Sequence, residues 1–329
     1  MTRLLVAALV TGTVLAASQA TGARSRQIEP STGTHDSTRD GPTAAPDPVP
    51  TDVTMRNVDF HVGDGVVLHI RRLRGLMRGR NGVVDFDDVS SYTVEVSAAE
   101  VGLADDDLTN LLNRYVFAYP GAPLSKLRVR VGSDGLRQSG ILHKGVDIPF
   151  DMTANVSLTP DGRIRLHAAH VKIFGVNGLA LMNALGLSLE KMIDLSRAHG
   201  ITAKGNDLFM EATALLPPPK FVGKLAAVRI DGDQLVQTFG NPADSTPPTQ
   251  TLDPAATNFM LYRGGMLHFT KLLMTDAEML VVDADPRTPF DFDNPGYRKQ
   301  LVAGRSRTLP DMGLEVWMPD ARSLGKSTP

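Results

Sequence analysis

The chain has 329 residues, of which 42% are hydrophobic and 21% are charged, and these proportions are ordinary for a soluble globular protein. Its formal net charge of -2 provides no general attraction to nucleic acid. Because the chain contains no cysteine, disulfides, thiolate metal sites, thiol catalysis and a lipid-modified cysteine are all excluded.

The first twenty residues have the features of an export signal. Arg3 precedes an apolar run at 4–17, and Ser18-Gln19-Ala20 matches the small-x-small pattern of a signal-peptidase site. The run is shorter than the roughly 20 apolar residues that span a bilayer. We therefore predict a signal peptide at 1–20 and export to the periplasm or cell envelope of a bacterium. An uncleaved N-terminal anchor is the alternative.

Composition divides the remaining chain into segments. Residues 21–52 are rich in Ser, Thr, Pro and Asp and have almost no large apolar side chain, which predicts a disordered tether. A similar stretch at 241–257 predicts a linker. These boundaries leave a main domain at 53–240, a C-terminal strand extension at 258–320 that packs on the main sheet, and a tail at 321–329.

The strongest local pattern is VDIPFDMTANVSL, at 146–158, in which apolar and polar residues alternate throughout. Such alternation predicts a long strand with one apolar and one polar face. Asp-Gly pairs at 134–135 and 161–162 are typical of hairpin turns. We therefore expect residues 126–174 to form a four-stranded antiparallel meander, with further strands before and after it.

Two segments predict helices instead. Residues 104–117 start with three acidic residues, which favour a helix N-terminus, and then carry one apolar stripe. Residues 175–195, GVNGLALMNALGLSLEKMIDL, predict a single helix whose apolar arc is roughly 220°, against about 100° for an ordinary surface helix. A helix this apolar needs a covering layer. The predicted fold is therefore α+β, with a long curved antiparallel β-sheet wrapped around one or two amphipathic helices, half-barrel-like and with an apolar groove.

The order of these elements resembles a known group of proteins. A short helix, a strand–Asp-Gly–strand hairpin, a strand ending in DGR and an amphipathic helix follow one another over about residues 90–240. This arrangement is similar to that of exported bacterial phospholipid-binding proteins of the tubular lipid-binding (TULIP-like) and AsmA-like group. The resemblance implies that a phospholipid or similar amphiphile is bound by burial alone, without catalysis and without a cofactor.

The groove would be lined by the apolar faces of the long strand and of the wide helix. The residues that we predict to line it are Ile148, Phe150, Met152, Val156, Leu158, Leu181, Met182, Leu185, Leu189, Met192 and Ile193. Methionines among aliphatic side chains can repack around ligands of different shape.

A basic cluster lies in the segment HIRRLRGLMRGR. It contains Arg71, Arg72, Arg74, Arg78 and Arg80, which could contact lipid headgroups or an anionic membrane surface. The alternative is a solvated strand edge, where charge prevents unwanted pairing with other strands. Nucleic acid is not an expected partner, because net positive charge and nearby aromatic platforms are both missing.

Other motifs give little support for catalysis or metal binding. His167 and His170 point to opposite faces of a strand and cannot share one ion without a bulge. The aspartates of 283–293 could bind calcium, but their segment does not match an EF-hand loop. A nucleophile elbow, a phosphate-binding glycine loop and a His-Glu-x-x-His motif are missing from the sequence.

The preferred hypothesis is therefore an exported, non-catalytic lipid-binding or lipid-transfer protein of the cell envelope. One alternative is a structural or assembly protein with a dry core and a surface site for an unknown protein partner. A hydrolase acting on an envelope polymer is the third hypothesis.

Overall fold

The computed structural model of the protein describes residues 48–178, 187–241 and 255–325. The predicted signal peptide and most of the predicted tether lie outside these residues. The described part is mostly β-sheet with a few short helices, and its sheets are open. This confirms the predicted β-rich character with accompanying helices.

The strands and helices have the following bounds in chain order. The strands are β1 (Thr51–Gly63), β2 (Val66–Gly79), β3 (Val83–Asp85), β4 (Tyr92–Ala104), β5 (Leu124–Gly132), β6 (Gly135–Lys144), β7 (Val146–Leu158), β8 (Ile164–Ile173), β9 (Val176–Asn177), β10 (Ile201–Lys204), β11 (Asp207–Met210), β12 (Lys220–Val222), β13 (Leu225–Asp231), β14 (Gln234–Phe239), β15 (Phe259–Arg263), β16 (Met266–Phe269), β17 (Leu272–Thr275), β18 (Glu278–Asp283), β19 (Phe290–Asp293), β20 (Arg305–Thr308) and β21 (Leu314–Met318). The helices are α1 (Asp105–Leu111), α2 (Leu189–Met192) and α3 (Tyr297–Ala303), with a π-helical turn at Leu112–Val116 and 3-10 turns at Arg80–Gly82, Ala212–Leu215 and Ala321–Leu324.

The larger sheet has the order β13-β14-β4-β2-β1-β15-β18-β21-β20. The long strands β1, β2 and β4 pair antiparallel at its centre. Strand β15 pairs antiparallel with β1, so the C-terminal strands continue the same sheet. The short strands β12 and β19 pair in parallel with β4 and β1.

The second sheet has the order β10-β11-β8-β7-β6-β5, and β9 also pairs with β8. Strands β5 to β8 are the antiparallel meander predicted for 126–174, and β7 has the bounds predicted for the alternating strand. Gly162 has a φ of +84° in the Asp-Gly turn between β7 and β8, a conformation that glycine adopts without strain. The meander prediction is confirmed.

A third, small sheet, β17-β16-β3, lies over an aromatic core. The ring of Phe86 stacks on Phe269 with their centroids 4.0 Å apart, and the rings of Tyr262 and Tyr297 meet Phe86 edge-on. All four side chains are buried. Aromatic contacts therefore join the small sheet to the C-terminal part of the chain.

The helix predicted across 175–195 is not continuous over the described residues of that range, although Gly178 and 189–192 are helical. Val176–Asn177 is a strand, Leu187 and Ser188 are not helical, and α2 has four residues. Ser188 has an extended backbone, with φ -138° and ψ 166°, at the position before α2. Serine competes for backbone hydrogen bonds and favours such capping positions over helix interiors. Residues 179–186 lie outside the described part.

The amphipathic helix predicted for 104–117 is present as α1 and the π-helical turn. Its acidic start is used directly, because the Asp107 carboxylate accepts hydrogen bonds from the backbone N–H groups of Ala104 and Val67. These contacts cap the helix and fix it to β2. None of the helices in the described ranges is long and apolar enough to cross a membrane.

Candidate functional site

An apolar interior lies between the inner faces of the two larger sheets. One wall comes from the meander, and the opposite wall comes from β4 and β14. Helix α1 closes one side, and residues 187–216 cover another. The meander contributes Leu136 and Met152, and the opposite wall contributes Leu103 and Leu235. Helix α1 contributes Leu108 and Leu111, and the 187–216 segment contributes Ile201 and Leu208.

Three cavities follow one another through this interior. We call them the central cavity, the β7-side cavity, which is also lined by Ile148 and Phe150, and the β2-side cavity, which is also lined by Leu68 and Ile70. The central and β7-side cavities share wall residues Leu124, Gln138, Met152, Ile193 and Leu208. The central and β2-side cavities share Leu103, Ala212 and Gln237. The central cavity therefore shares wall residues with each of the other two, and we call this group of neighbouring cavities the apolar row.

The cavities are narrow. Their volumes are about 60 Å³ for the central, about 40 Å³ for the β7-side and about 30 Å³ for the β2-side cavity. An apolar cavity of about 150 Å³ is needed for a ligand the size of benzene. The described residues therefore enclose small voids, and an acyl chain requires the walls to move apart.

Most of the described residues predicted to line a groove do lie along this row. Met152 and Ile193 line the central and β7-side cavities, and Ile148, Phe150, Leu189 and Met192 line the β7-side cavity. Val156 and Leu158 pack against the core but line none of the three cavities. Leu181, Met182 and Leu185 lie outside the described residues.

Two glutamines in the walls were not predicted. Gln138 lies between the central and β7-side cavities, and Gln237 lies between the central and β2-side cavities. Their exposed fractions are 8% and 6%. The sequence does contain a signal for them, because each glutamine falls on the apolar parity of its strand, between Leu136 and Leu142 or between Leu235 and Phe239.

The segment that covers the row is built from short elements. Strands β10 and β11 are four residues each, and β11 is held at the edge of the meander by its pairing with β8. The α2 helix is fixed to the β10–β11 turn by the N–H of Glu190, which donates to the carbonyl of Gly205 at 3.0 Å, and by the reverse contact from the Gly205 N–H to the Glu190 carboxylate at 2.8 Å. The strands and the helix of this cover are each only four residues long.

An exposed apolar tip lies at the end of the meander nearest the β7-side cavity. It consists of Val146, Phe174 and Val176, whose exposed fractions are 65%, 65% and 58%. The N–H of Phe174 donates to the carbonyl of Pro149, and Ile173 beside it lines the β7-side cavity. Lys144 and Lys172 are exposed next to the tip.

The predicted arginine cluster lies on the other face of the larger sheet. In β2, Leu73 and Met77 point inward, so Arg72, Arg74 and Arg78 point outward. The Glu100 carboxylate binds both Arg71 and Arg72 at 3.0 Å.

Further ion pairs reduce the charge of this cluster. Arg229 also binds Glu100, and Arg78 binds Glu95 at 2.9 Å. Hydrogen bonding from Arg229, which outweighs the opposing effect of burial, and then from Arg72 lowers the pKa of Glu100 to about 2. Several arginines of the cluster thus neutralise carboxylates of the protein itself.

The carboxylates that were considered as calcium ligands are separated by other contacts. Asp291 binds His61 at 2.5 Å, and Asp283 accepts from the Asn258 amide at 2.9 Å. His167 is paired with Asp207 at 2.6 Å.

In the described residues, one group, Asp85, Asp87 and His268, has the spacing of a metal site. Asp87 already binds Arg298 at 2.6 Å and Tyr297, and hydrogen bonding from Arg298 lowers the pKa of its carboxyl. The group is therefore an internal polar network.

Comparison of the chain with protein-family models, with curated proteins and with solved structures found no match.

Proposed function

We propose that the protein is an exported, non-catalytic lipid-binding or lipid-transfer protein of the bacterial cell envelope, in which the apolar row holds the acyl chain of its ligand. The observation that carries this proposal is that three apolar cavities between the two sheets share wall residues with their neighbours. A densely packed interior normally has few voids, and these are seldom aligned. Neighbouring voids with shared walls mark the path along which a chain-shaped ligand would displace the fewest side chains.

The chemistry of the walls suits such a ligand. Each methylene group that leaves water contributes about 0.8 kcal/mol, so a chain of ~15 methylenes offers about 12 kcal/mol before the costs of ordering and of moving the walls. Met152, Met192 and Met210 lie in the walls, and their unbranched side chains can repack at low cost. The cover at 187–216 is the wall that moves, because short elements open most easily.

The apolar tip supplies a site for exchange with a membrane. Phe174 and Val176 would enter the interface between headgroups and acyl chains, and Lys144 and Lys172 would contact anionic headgroups. The tip adjoins the β7-side cavity, so a lipid that leaves the bilayer there passes directly into the apolar row. The arginine cluster on the opposite face is a second possible contact with an anionic surface, although its internal ion pairs weaken that role.

The proposed path of the acyl chain agrees with the fold that was expected from the sequence. A curved sheet that encloses an apolar path, with helical segments against it, is the arrangement expected from the resemblance to TULIP-like proteins. In this proposal α1 and the 187–216 cover take the place of the single wide helix. Phospholipids or similar amphiphiles are the corresponding ligands.

The experiment that tests the proposal is native mass spectrometry of the full chain purified from a bacterial envelope, combined with lipid extraction. A bound lipid of defined mass that appears in the extract supports it. A chain that carries no lipid, and that does not bind the neutral apolar fluorophore N-phenyl-1-naphthylamine, would instead be the structural protein with a dry core.

A further inference from the structure

Two buried glutamines, Gln138 and Gln237, line the apolar row, and the half-buried Thr213 also lines its β2-side cavity. Within the part of the chain that the structure describes, neither side-chain amide hydrogen-bonds to another protein group, and the amide atoms keep some surface open to the cavities that they line. Their strand neighbours are apolar: Gln138 lies between Val129 and Met152, and Gln237 lies beside Val101. Both amides therefore face the cavities without a protein group to satisfy them.

Such an arrangement is costly for a plain core. A buried amide loses its bonds to water, and more than nine in ten buried polar groups in folded proteins have partners. Leucine or methionine at either position would fill similar space without this cost. Two unpaired glutamines at the two junctions of one cavity row point to a ligand that supplies their partners.

The chemistry of the walls defines that ligand further. The residues that line the three cavities include no charged side chain. An ionised carboxylate or phosphate inside the row would be a buried charge without a counter-charge, which is strongly unfavourable. A glutamine amide offers two donors and one carbonyl acceptor, which suits ester carbonyls, hydroxyls and amides.

We propose that Gln138 and Gln237 are specificity-determining residues that bind the neutral hydrogen-bonding groups of a lipid, namely the ester and hydroxyl groups of an acylglycerol. This inference rests on the proposed function. The same ester chemistry occurs in neutral acylglycerols and in phospholipids. A phospholipid would have to keep its phosphate outside the row, whereas a neutral acylglycerol can enter completely.

The test measures how ligands displace N-phenyl-1-naphthylamine from the full chain. The competitors are monopalmitoylglycerol, palmitoyl-lysophosphatidylcholine and palmitic acid, which share one acyl chain and differ in the polar group. The wild type should bind monopalmitoylglycerol at least tenfold more tightly than ionised palmitic acid. The lysophospholipid shows whether a phosphate-bearing source of the same ester is accepted.

The variants are Gln138→Leu, Gln237→Leu and the double substitution. Each single change should lower the affinity for monopalmitoylglycerol about 3- to 10-fold, which corresponds to the loss of one or two hydrogen bonds. It should change the affinity for the fluorophore less than twofold. The melting temperature should stay the same or rise, because an unpaired amide is removed. Gln234→Leu is the matched control on β14, since Gln234 accepts a hydrogen bond from Arg71 and lines none of the three cavities, and it should change neither affinity.

The outcomes separate this inference from the proposed function. If the variants keep the wild-type affinity for monopalmitoylglycerol while the fluorophore still binds, the assignment of the glutamines is overturned and lipid binding stands. If the variants lose stability and weaken all ligands equally, the glutamines are structural and the assignment is again overturned. If the wild type binds neither the fluorophore nor any lipid, the proposed function fails, and this inference fails with it.

Discussion

The side chain of Asn113 takes the place of a neighbouring strand for Leu127. Its amide Nδ2 donates to the Leu127 carbonyl at 2.7 Å, and its Oδ1 accepts from the Leu127 N–H at 2.9 Å. Leu127 belongs to β5, the edge strand of the meander, so these backbone groups have no strand partner on that side. The Asn113 side chain thus pairs with both the N–H and the carbonyl of Leu127.

The same relationship continues along the helix. Thr109 Oγ1 accepts from the Val129 N–H at 2.9 Å, and Asp105 Oδ1 accepts from the Val131 N–H at 2.6 Å. Four residues of α-helix advance about 6 Å, and two residues of strand advance about 6.6 Å, so the two periods nearly match. The polar stripe of α1 therefore covers the edge of the meander and positions the apolar stripe over the central cavity.

We expect Asn113→Ala to lower the free energy of unfolding by about 2 kcal/mol, because it leaves a buried backbone donor and acceptor unpaired. Asn110→Ala on the same helix is the matched control. It removes one exposed contact, to the Gly65 carbonyl, and should cost less than about 1 kcal/mol. Urea unfolding of both variants measures the difference. Equal losses would show that the Asn113–Leu127 contact has no special role.

His69 should make stability depend on pH. Hydrogen bonds with Asp107 and Asp59 raise its pKa from 6.5 to about 9, since the charged imidazolium donates to a carboxylate from each ring nitrogen. A raised pKa gives stabilisation that is complete below pH 6.5 and is lost as the pH rises through about 9. With partial exposure taken into account, the loss should be on the order of 2 kcal/mol.

The check on His69 is urea unfolding of the wild type and of His69→Gln at about pH 6 and at about pH 9.5. The wild type should lose stability between these values, and the variant should lose much less because its side chain does not titrate. An equal loss in both proteins would assign the pH dependence to other groups.

Local patterns predicted part of this fold well. The alternation over Val146–Leu158 and the Asp-Gly turns define the meander, because each hairpin is specified by residues close together in the chain. The order of the larger sheet could not be obtained in this way. Its strand β1 pairs with β15, which follows it by about two hundred residues, and such pairing depends on tertiary contacts.

The candidate site was predicted in part for a similar reason. Met152 and Ile148 could be placed in an apolar wall from strand parity alone. The break before α2 was missed because hydrophobicity alone gave the apparent helix, whereas Ser188 has an extended backbone. Gln138 and Gln237 were missed because an apolar pattern tolerates single polar residues, and their burial becomes visible only when the two sheets face each other.

Blocking the central cavity should prevent lipid loading. Ala154 is 1% exposed and lines this cavity. Ala154→Leu adds three carbon atoms to the space, so bound lipid should fall at least fivefold, while overpacking costs about 1–3 kcal/mol of stability. Native mass spectrometry measures the loaded fraction. Ala226→Leu, which adds the same group at an exposed position of β13, is the control and should load normally. Normal loading of Ala154→Leu would place the lipid elsewhere.

Removing the apolar tip should weaken membrane binding without affecting the fold. Phe174 and Val176 are largely exposed, so changing both to serine alters little packing, but it removes apolar surface that would enter the bilayer at about 25 cal/mol per Å². Co-sedimentation with phosphatidylcholine–phosphatidylglycerol vesicles should fall at least tenfold, and the melting temperature should stay within about 2 °C of the wild-type value. Val302→Ser removes a still more exposed apolar side chain from α3, where Val302 is 86% exposed, and should leave vesicle binding unchanged. If Val302→Ser reduces vesicle binding as much as the double tip variant does, or if neither variant reduces it, the tip at Phe174 is not where the protein meets the membrane.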